Sequence, residues 1–208
     1  MIGMLSLVRP AILLLVLFTL LTGIAYPTVI TAIATVGFPS QAHGSLVYHG
    51  DRIVGSELIG QPFDDPGYLW GRPSATAGYP YNAEASTGSN LGPSNPALHD
   101  AVAARVQALR AADPENHDAI PIDLVTASAS GLDPHISPAA AYYQVPRIAR
   151  ARGLSAETVR TLIAAHITER TFRVLGEPRV NVLLVNLALD AYSKSTPGSR
   201  DPAAQRAM

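Results

Sequence analysis

Ala11-Ile-Leu-Leu-Leu-Val-Leu-Phe-Thr-Leu-Leu-Thr-Gly-Ile-Ala-Tyr-Pro-Thr-Val-Ile-Thr-Ala-Ile-Ala34 is the stretch that decides the architecture. It carries no charge, and no Asp, Glu, Lys or Arg occurs anywhere between Arg9 and Asp51. Its apolar residues run all round rather than along one stripe, the pattern of a helix solvated by lipid rather than packed on one face. As a helix, its 24 residues reach ~36 Å at ~1.5 Å each, against a hydrocarbon core of ~30 Å, so it spans with some tilt. Pro27 removes a backbone donor and Gly23 lies one turn earlier, which predicts a kink, with Thr22 or a neighbouring helix compensating. Gly23, Ala25, Ala32 and Ala34 are small enough to pack against a second helix. Ala32-Ile33-Ala34 also has the small-x-small form of a cleavage site, but the apolar run outlasts the ~7–15 residues of a signal-peptide core, favouring an uncleaved anchor. Arg9 precedes the span and the next basic residue is Arg52. The positive-inside rule then leaves the N-terminus in the cytoplasm and the rest of the chain outside.

The 174 residues beyond Ala34 suffice for one domain with a proper core. The expected organisation is a short cytoplasmic N-terminus at 1–10, a transmembrane helix at 11–34, a compact extracytoplasmic α+β domain at 35–190 and a flexible tail at 191–208. With 15 basic against 16 acidic side chains, no strong field is available, which argues against a nucleic-acid partner. The absence of cysteine excludes disulfides, thiolate metal sites and thiol nucleophiles. Basic charge is almost all arginine; the one lysine is Lys194.

Ser45–Tyr48 and Arg52–Val54 about Gly50 read as a hairpin just beyond the span. From Gln61 to Pro96 the chain is rich in Gly, Pro, Ser and Asn. Phe63, Tyr68, Trp70, Tyr79 and Tyr81 argue that this long connection packs rather than floats. Asn95 caps a helix to Ala112 with Leu98, Val102, Val106 and Leu109 on one stripe. Ile120–Val125 is read as a strand. Ser137 caps a helix interrupted at Val145-Pro146 and stopped by Gly153, and Ser155 caps a longer one carrying Val159, Leu162, Ile163 and Ile167 as far as Gly176. Arg179–Leu187 is read as a partly buried strand, and the chain from Ala191 is expected to fray.

Reactive residue types crowd into Thr126-Ala-Ser128-Ala-Ser130-Gly-Leu-Asp133-Pro-His135-Ile-Ser137. A serine hydrolase needs an oxygen nucleophile, an imidazole in reach of it and a carboxylate orienting the imidazole. All three types occur here, so a membrane-tethered hydrolase using Ser128 or Ser130 is the alternative reading. No Gly-x-Ser-x-Gly elbow is present, and Asp133 and Ser137 are well suited to turn and cap roles. Asp133 and His135 alone make a poor metal site, because the remaining histidines show no paired spacing. His166 falls on an apolar helical stripe and reads as a satisfied core or groove residue. Arg147, Arg150 and Arg152 read as a solvated face. Neither phosphate-binding glycine signature occurs. Thr35-Val36-Gly37-Phe38 is filter-like but occurs once, at the end of one span, and reads as a helix exit.

Gly55-Ser-Glu-Leu-Ile-Gly-Gln-Pro-Phe63, Gly71-Arg-Pro-Ser-Ala-Thr76, Tyr81-Asn82, Gly88-Ser-Asn-Leu-Gly-Pro-Ser-Asn-Pro96 and Val125-Thr-Ala-Ser-Ala-Ser-Gly-Leu-Asp-Pro134 together resemble the C-subunit family of the Kdp potassium-transporting ATPases. The likeness runs from Gly23-Ile-Ala-Tyr-Pro27 to Asp190. His43 stands where that pattern has Asn, Thr87 where it has Gly, and Leu69-Trp70 precede Gly71. The resemblance implies a single-span accessory subunit of a P-type potassium pump, beside a potassium-conducting subunit and an ATP-hydrolysing one. The chain lacks the Asp-Lys-Thr-Gly-Thr phosphorylation motif. The resemblance also implies that it raises the ATP affinity of the hydrolysing subunit, as a catalytic chaperone, with ATP held only in a transient complex. Gly23 and Pro27 are then expected at the membrane contact with lipid and partner. Ser128, Ser130, Asp133 and His135 are expected on a functional surface.

Overall fold

The computed structural model describes residues 4–195. They divide between Leu46 and Val47 into two compact units.

The first unit is the apolar helix. α1 (Met4–Leu20) and α2 (Tyr26–Gly37) are joined by a π-helical turn at Leu21–Ala25, and α3 (Pro39–Ala42) follows. One continuous apolar stretch, Ser6–Gly37, is long enough to cross a membrane, and none of its most apolar window is buried within the protein. The irregularity expected at Gly23 and Pro27 takes the form of the widened turn. Pro27 has no N–H, and its ring would strike the carbonyl of Gly23 in a regular helix. Opening the ladder to the Tyr26 N–H to Leu21 carbonyl bond removes that conflict. Thr22 does not supply the compensation, since its hydroxyl donates to the Phe18 carbonyl at 2.7 Å. α2 ends at Gly37, so the filter-like Thr35–Phe38 segment is a helix exit.

The second unit is a mixed helix and sheet domain. β1 (Leu46–His49) and β2 (Arg52–Ser56) form a two-stranded sheet. The long connection then leads to α4 (Pro96–Ala112), whose first turn is capped by Asn95 Oδ1 accepting from the Ala97 N–H at 3.0 Å. β3 (His135–Ile136), α5 (Pro138–Tyr143), α6 (Val145–Arg152), α7 (Ala156–Ala164), β4 (Ile167–Thr168), β5 (Arg179–Asn181) and α8 (Val182–Ser195) complete the order. β5 lies between β3 and β4, antiparallel to both, with Ile136 and Ile167 each opposite Val180. Ser137 and Ser155 cap α5 and α7 as expected, and Gly153 closes α6 at a φ of 66°.

Four assignments made from sequence change. Ile120–Val125 is not a strand: Ile122–Leu124 form a 3-10 turn in which only Leu124 is buried, and Asp123 turns away to bond Ser137. The helix capped by Ser155 ends at Ala164 rather than near Gly176, because Ile167-Thr168 leave it to pair with β5. Gly176, at a φ of 79°, lies in the β4–β5 connection instead. The strand at Arg179 stops at Asn181, whose Oδ1 accepts from the Leu184 N–H at 3.2 Å and opens a helix. Val182, Val185, Asn186 and Leu189 then recur at helical spacing as its buried stripe. α8 therefore runs through Ala191 to Ser195, and the remainder of the expected tail, 196–208, lies outside the described residues.

The core gathers Leu69, Trp70, Leu124, Ile136, Ile148, Val159, Ile163, Val180, Val185 and Leu189. Gly67 to Trp70 run through it without a strand partner, so side chains replace the missing ladder. Asn186 bonds both the N–H and the carbonyl of Leu69, at 2.7 and 3.0 Å. Gln144 does the same for Trp70, at 2.8 and 3.1 Å. The Arg147 guanidinium donates to the Pro66 carbonyl at 2.6 Å and stacks on the Trp70 ring at 4.3 Å. Arg152, wholly buried, donates to the Gly67 carbonyl at 2.5 Å, to Ser193 at 3.2 Å and to Asp190 at 2.8 Å. The arginine run of α6 is thus a correction to the solvated face: two of its three members satisfy buried backbone, as burial of that segment requires. Burial pushes the Arg147 guanidinium down to about 10, against the pull of Asp113 and Asp65.

Candidate functional site

The serine-rich loop lies against the Gly71–Thr76 segment. Arg72 crosses between them: its guanidinium donates to the Thr126 and Ala127 carbonyls at 3.4 and 3.3 Å and to Asp133 Oδ2 at 3.3 Å. Ser74 donates to the Gly131 carbonyl at 2.7 Å and accepts from the Tyr81 N–H at 2.8 Å. The Tyr81 phenol donates to the Arg72 carbonyl at 2.6 Å, and burial, with Asp133, holds its pKa above the ordinary value despite Arg105 and Arg72, so it remains a donor. Gly131 makes the close approach possible. It adopts a φ of 67°, and a Cβ there would lie 2.6 Å from the Thr87 carbonyl oxygen.

The candidate residues are brought together, but in structural roles. Ser128 Oγ accepts from the Gly131 N–H at 3.0 Å and Ser130 Oγ from the Leu132 N–H at 3.1 Å. Asp133 Oδ1 accepts the His135 N–H at 3.0 Å, the turn expected of an Asp before Pro, and lies 3.5 Å from the His135 Nδ1. Among the described residues, His135 bonds neither the Ser128 nor the Ser130 hydroxyl, so neither is paired with that imidazole. Burial alone would raise the Asp133 carboxyl. The His135 ring and backbone hydrogen bonds and the Arg72 guanidinium outweigh it and leave the group below its ordinary range.

Asp133 and Asp123 also close a sheet edge. Asp123 Oδ2 accepts from the Ser137 N–H at 2.7 Å, so both backbone donors flanking Ile136 end on carboxylates. β3 is thereby barred from pairing with another chain along that edge. Two open cavities flank this arrangement, and Arg72, Asp133 and His135 line both. One, of ≈ 640 Å³, is faced by Ser128, Ser130 and Leu58. The other, of ≈ 550 Å³, is faced by Asp123, Glu177 and Arg179. Among the described residues, no group of three or more His, Asp or Glu side chains converges to hold a metal. His166 is half-buried with its Nδ1 2.8 Å from the Leu162 carbonyl, a satisfied groove residue.

Gly23 and Pro27 belong to the apolar helix and are exposed along it, with open space where a Gly23 Cβ would stand. Sequence reading passed over Arg72, Ser74, Tyr81 and Arg179 as site residues. Nothing in their spacing links them to a loop more than 40 residues away, and only the fold brings Arg72 to Asp133.

The family described as KdpC, K+-transporting ATPase c chain, matches residues 8–191. A potassium-transporting ATPase KdpC subunit of Sorangium cellulosum is 65% identical over 187 residues, 90% of this chain and 98% of that one. Its namesake in Variovorax paradoxus is 63% identical over 89% of this chain and 96% of its own. A third, in Herpetosiphon aurantiacus, is 61% identical over 88% and 94%. A match that runs from the apolar helix through the serine loop to α8 leaves one conclusion: this chain belongs to the KdpC family, the c chains of potassium-transporting ATPases.

Proposed function

We propose that the protein is a non-catalytic assembly subunit of an ATP-driven potassium-uptake complex. Its helix at 11–34 anchors it in the cell membrane beside the potassium-conducting subunit, and the domain at 35–190 lies outside the cytoplasm. The observation that carries the non-catalytic part is the engagement of Ser128 and Ser130 with backbone N–H groups while His135 addresses Asp133. Positioning rather than bond making is what such a loop supplies. The orientation rests on Arg9 before the span and Arg52 as the next basic residue after it. Within the same reading, the chain raises the ATP affinity of the hydrolysing subunit, and with the domain outside, that coupling travels through the membrane segment around Gly23 and Pro27.

The test is purification of the complex in detergent through a tag on another subunit. The wild-type chain is expected to co-purify, and Gly23→Trp, which fills the open side of the π-turn, to reduce its yield. Loss of the chain should raise the ATP KM of the complex, and an unchanged KM would remove the chaperone role. Because the chain has no cysteine, single cysteines introduced at positions 3 and 110 report the side of the membrane by labelling with an impermeant maleimide. A fluorophosphonate probe should leave the protein unmodified; labelling that depends on Ser128 or Ser130 would restore the hydrolase alternative.

A further inference from the structure

Between β4 and β5 the chain makes a closed hairpin. Thr171 and Leu175 exchange both backbone hydrogen bonds at 2.9 Å, and an Arg170–Glu177 ion pair clamps the base. At the tip, Phe172 and Arg173 both sit in the left-handed region, at φ of 53° and 63°. Glycine or asparagine would relieve that conformation, whereas a bulky residue is strained in it. The strain displays side chains rather than burying them: Phe172 is 87% exposed, Val174 73% and Leu175 60%. The fold gains nothing from an apolar cluster held in water in this way.

The hairpin leads directly into the ≈ 550 Å³ cavity through Glu177, Pro178 and Arg179. Its charged lining is almost fully paired. Asp123 accepts from Ser137, Asp133 takes Arg72 and His135, and Glu177 takes Arg170. Arg179 is the exception: among the described residues its guanidinium has neither a carboxylate nor a hydrogen-bond acceptor. A guanidinium in a cavity, beside a strained apolar tip, has the composition of an interface hot spot, and its natural complement is a carboxylate held in bidentate geometry.

We propose that the 170–177 hairpin tip and the Arg179 cavity form one docking surface for a carboxylate-bearing segment of another subunit of the potassium-transporting ATPase. Phe172 and Leu175 seat in an apolar depression of that subunit, and an Asp or Glu from it enters the cavity to meet Arg179. The inference rests on the assembly reading above and names the surface through which assembly is read. An anionic membrane surface fits less well, because attraction to such a surface grows with excess basic charge. Here Glu169 and Glu177 nearly balance Arg170, Arg173 and Arg179.

The experiment uses the full chain in the detergent-purified complex, with Phe172→p-benzoylphenylalanine as a photo-crosslinker. Irradiation is expected to join the chain to another subunit, identified by mass. Adding Arg179→Glu is expected to cut that adduct about thirtyfold, the loss typical of a hot-spot residue, while fluorescence of Trp70, the sole tryptophan of this chain, measured on the isolated full chain in detergent, reports an intact fold. Arg179→Lys should retain part of the yield. Adducts with lipid alone, or subunit adducts insensitive to Arg179→Glu, overturn the proposal. If Arg179→Glu unfolds the domain, the comparison of Arg179→Lys with wild type decides in its place. Failure of the wild-type chain to co-purify at all is a different result, which removes the assembly reading and the surface with it.

Discussion

Arg147 and Arg152 of α6 and Arg173 and Arg179 of the β4–β5 hairpin are the same residue type in the same domain, with opposite employment. The first pair is buried and paired, bonded to the Pro66 and Gly67 carbonyls and, for Arg152, to Asp190. Among the described residues, the second pair has no protein acceptor. Where a guanidinium answers its own chain's backbone, it is part of the fold, and removing it costs stability. Where it answers nothing in its own chain, water or, as proposed for Arg179, another subunit receives it, and removing it should leave stability untouched. Unfolding followed through Trp70, and recovery in the complex, separate the two kinds of arginine.

The largest effect is expected at Arg152. Arg152→Ala takes the guanidinium from the Gly67 carbonyl and from Asp190, which keeps the Tyr68 hydroxyl alone, and breaking a buried ion pair in this way typically costs ~3–5 kcal/mol. Denaturant unfolding of the full chain in detergent measures it. A loss below ~1 kcal/mol, the range of an exposed pair, would erase the contrast with Arg179. Next comes Asn186→Leu, which removes the amide that serves both polar groups of Leu69. About 2–3 kcal/mol is expected, since a buried group left unsatisfied costs ~1–3 kcal/mol. Gly131→Ala follows: its Cβ would stand 2.6 Å from the Thr87 carbonyl oxygen at a φ of 67°. A cost of ~1–3 kcal/mol is expected, with the serine loop lifted from Arg72.

How far the sequence carries this contrast differs by region. The lipid-facing helix is legible from Ala11–Ala34, because an uncharged run needs no tertiary information. So are the caps at Asn95, Ser137 and Ser155, where the side chain answers an amide two or three residues away. Arg147 and Arg152 mislead for the converse reason. Their backbone acceptors lie more than 80 residues away in a segment that forms no regular structure. On the sequence, charges on a short helix look the same whether water or a distant carbonyl receives them. The strand read into Arg179–Leu187 fails at Asn181, where one side chain caps the following helix and donates to the Glu57 carbonyl at 2.9 Å. Ser128, Ser130, Asp133 and His135 lie together because they are sequence neighbours. Their work as caps and turn acceptors becomes visible only with the Arg72 segment laid across them.

The smallest effect sharpens the comparison at its midpoint, Asp133, which is half-buried and paired but open to two cavities. Its folded pKa lies below the ordinary 3.8. The folded state therefore binds its proton less readily than the unfolded chain does, and stability rises with pH across that interval. The contribution is complete above the unfolded value and disappears as pH falls through the lower folded one. Asp133→Asn should flatten the acid limb of a stability-against-pH curve below about pH 4, with little change at neutral pH beyond the lost Arg72 pair. Arg179→Gln serves as the reference on the other side of the cavity: with no carboxylate of its own chain to lose, it should leave the acid limb as it is in the wild type. If both variants flatten the curve alike, Arg179 is paired within the chain, and the distinction between the two kinds of arginine fails at the residue on which the docking surface depends.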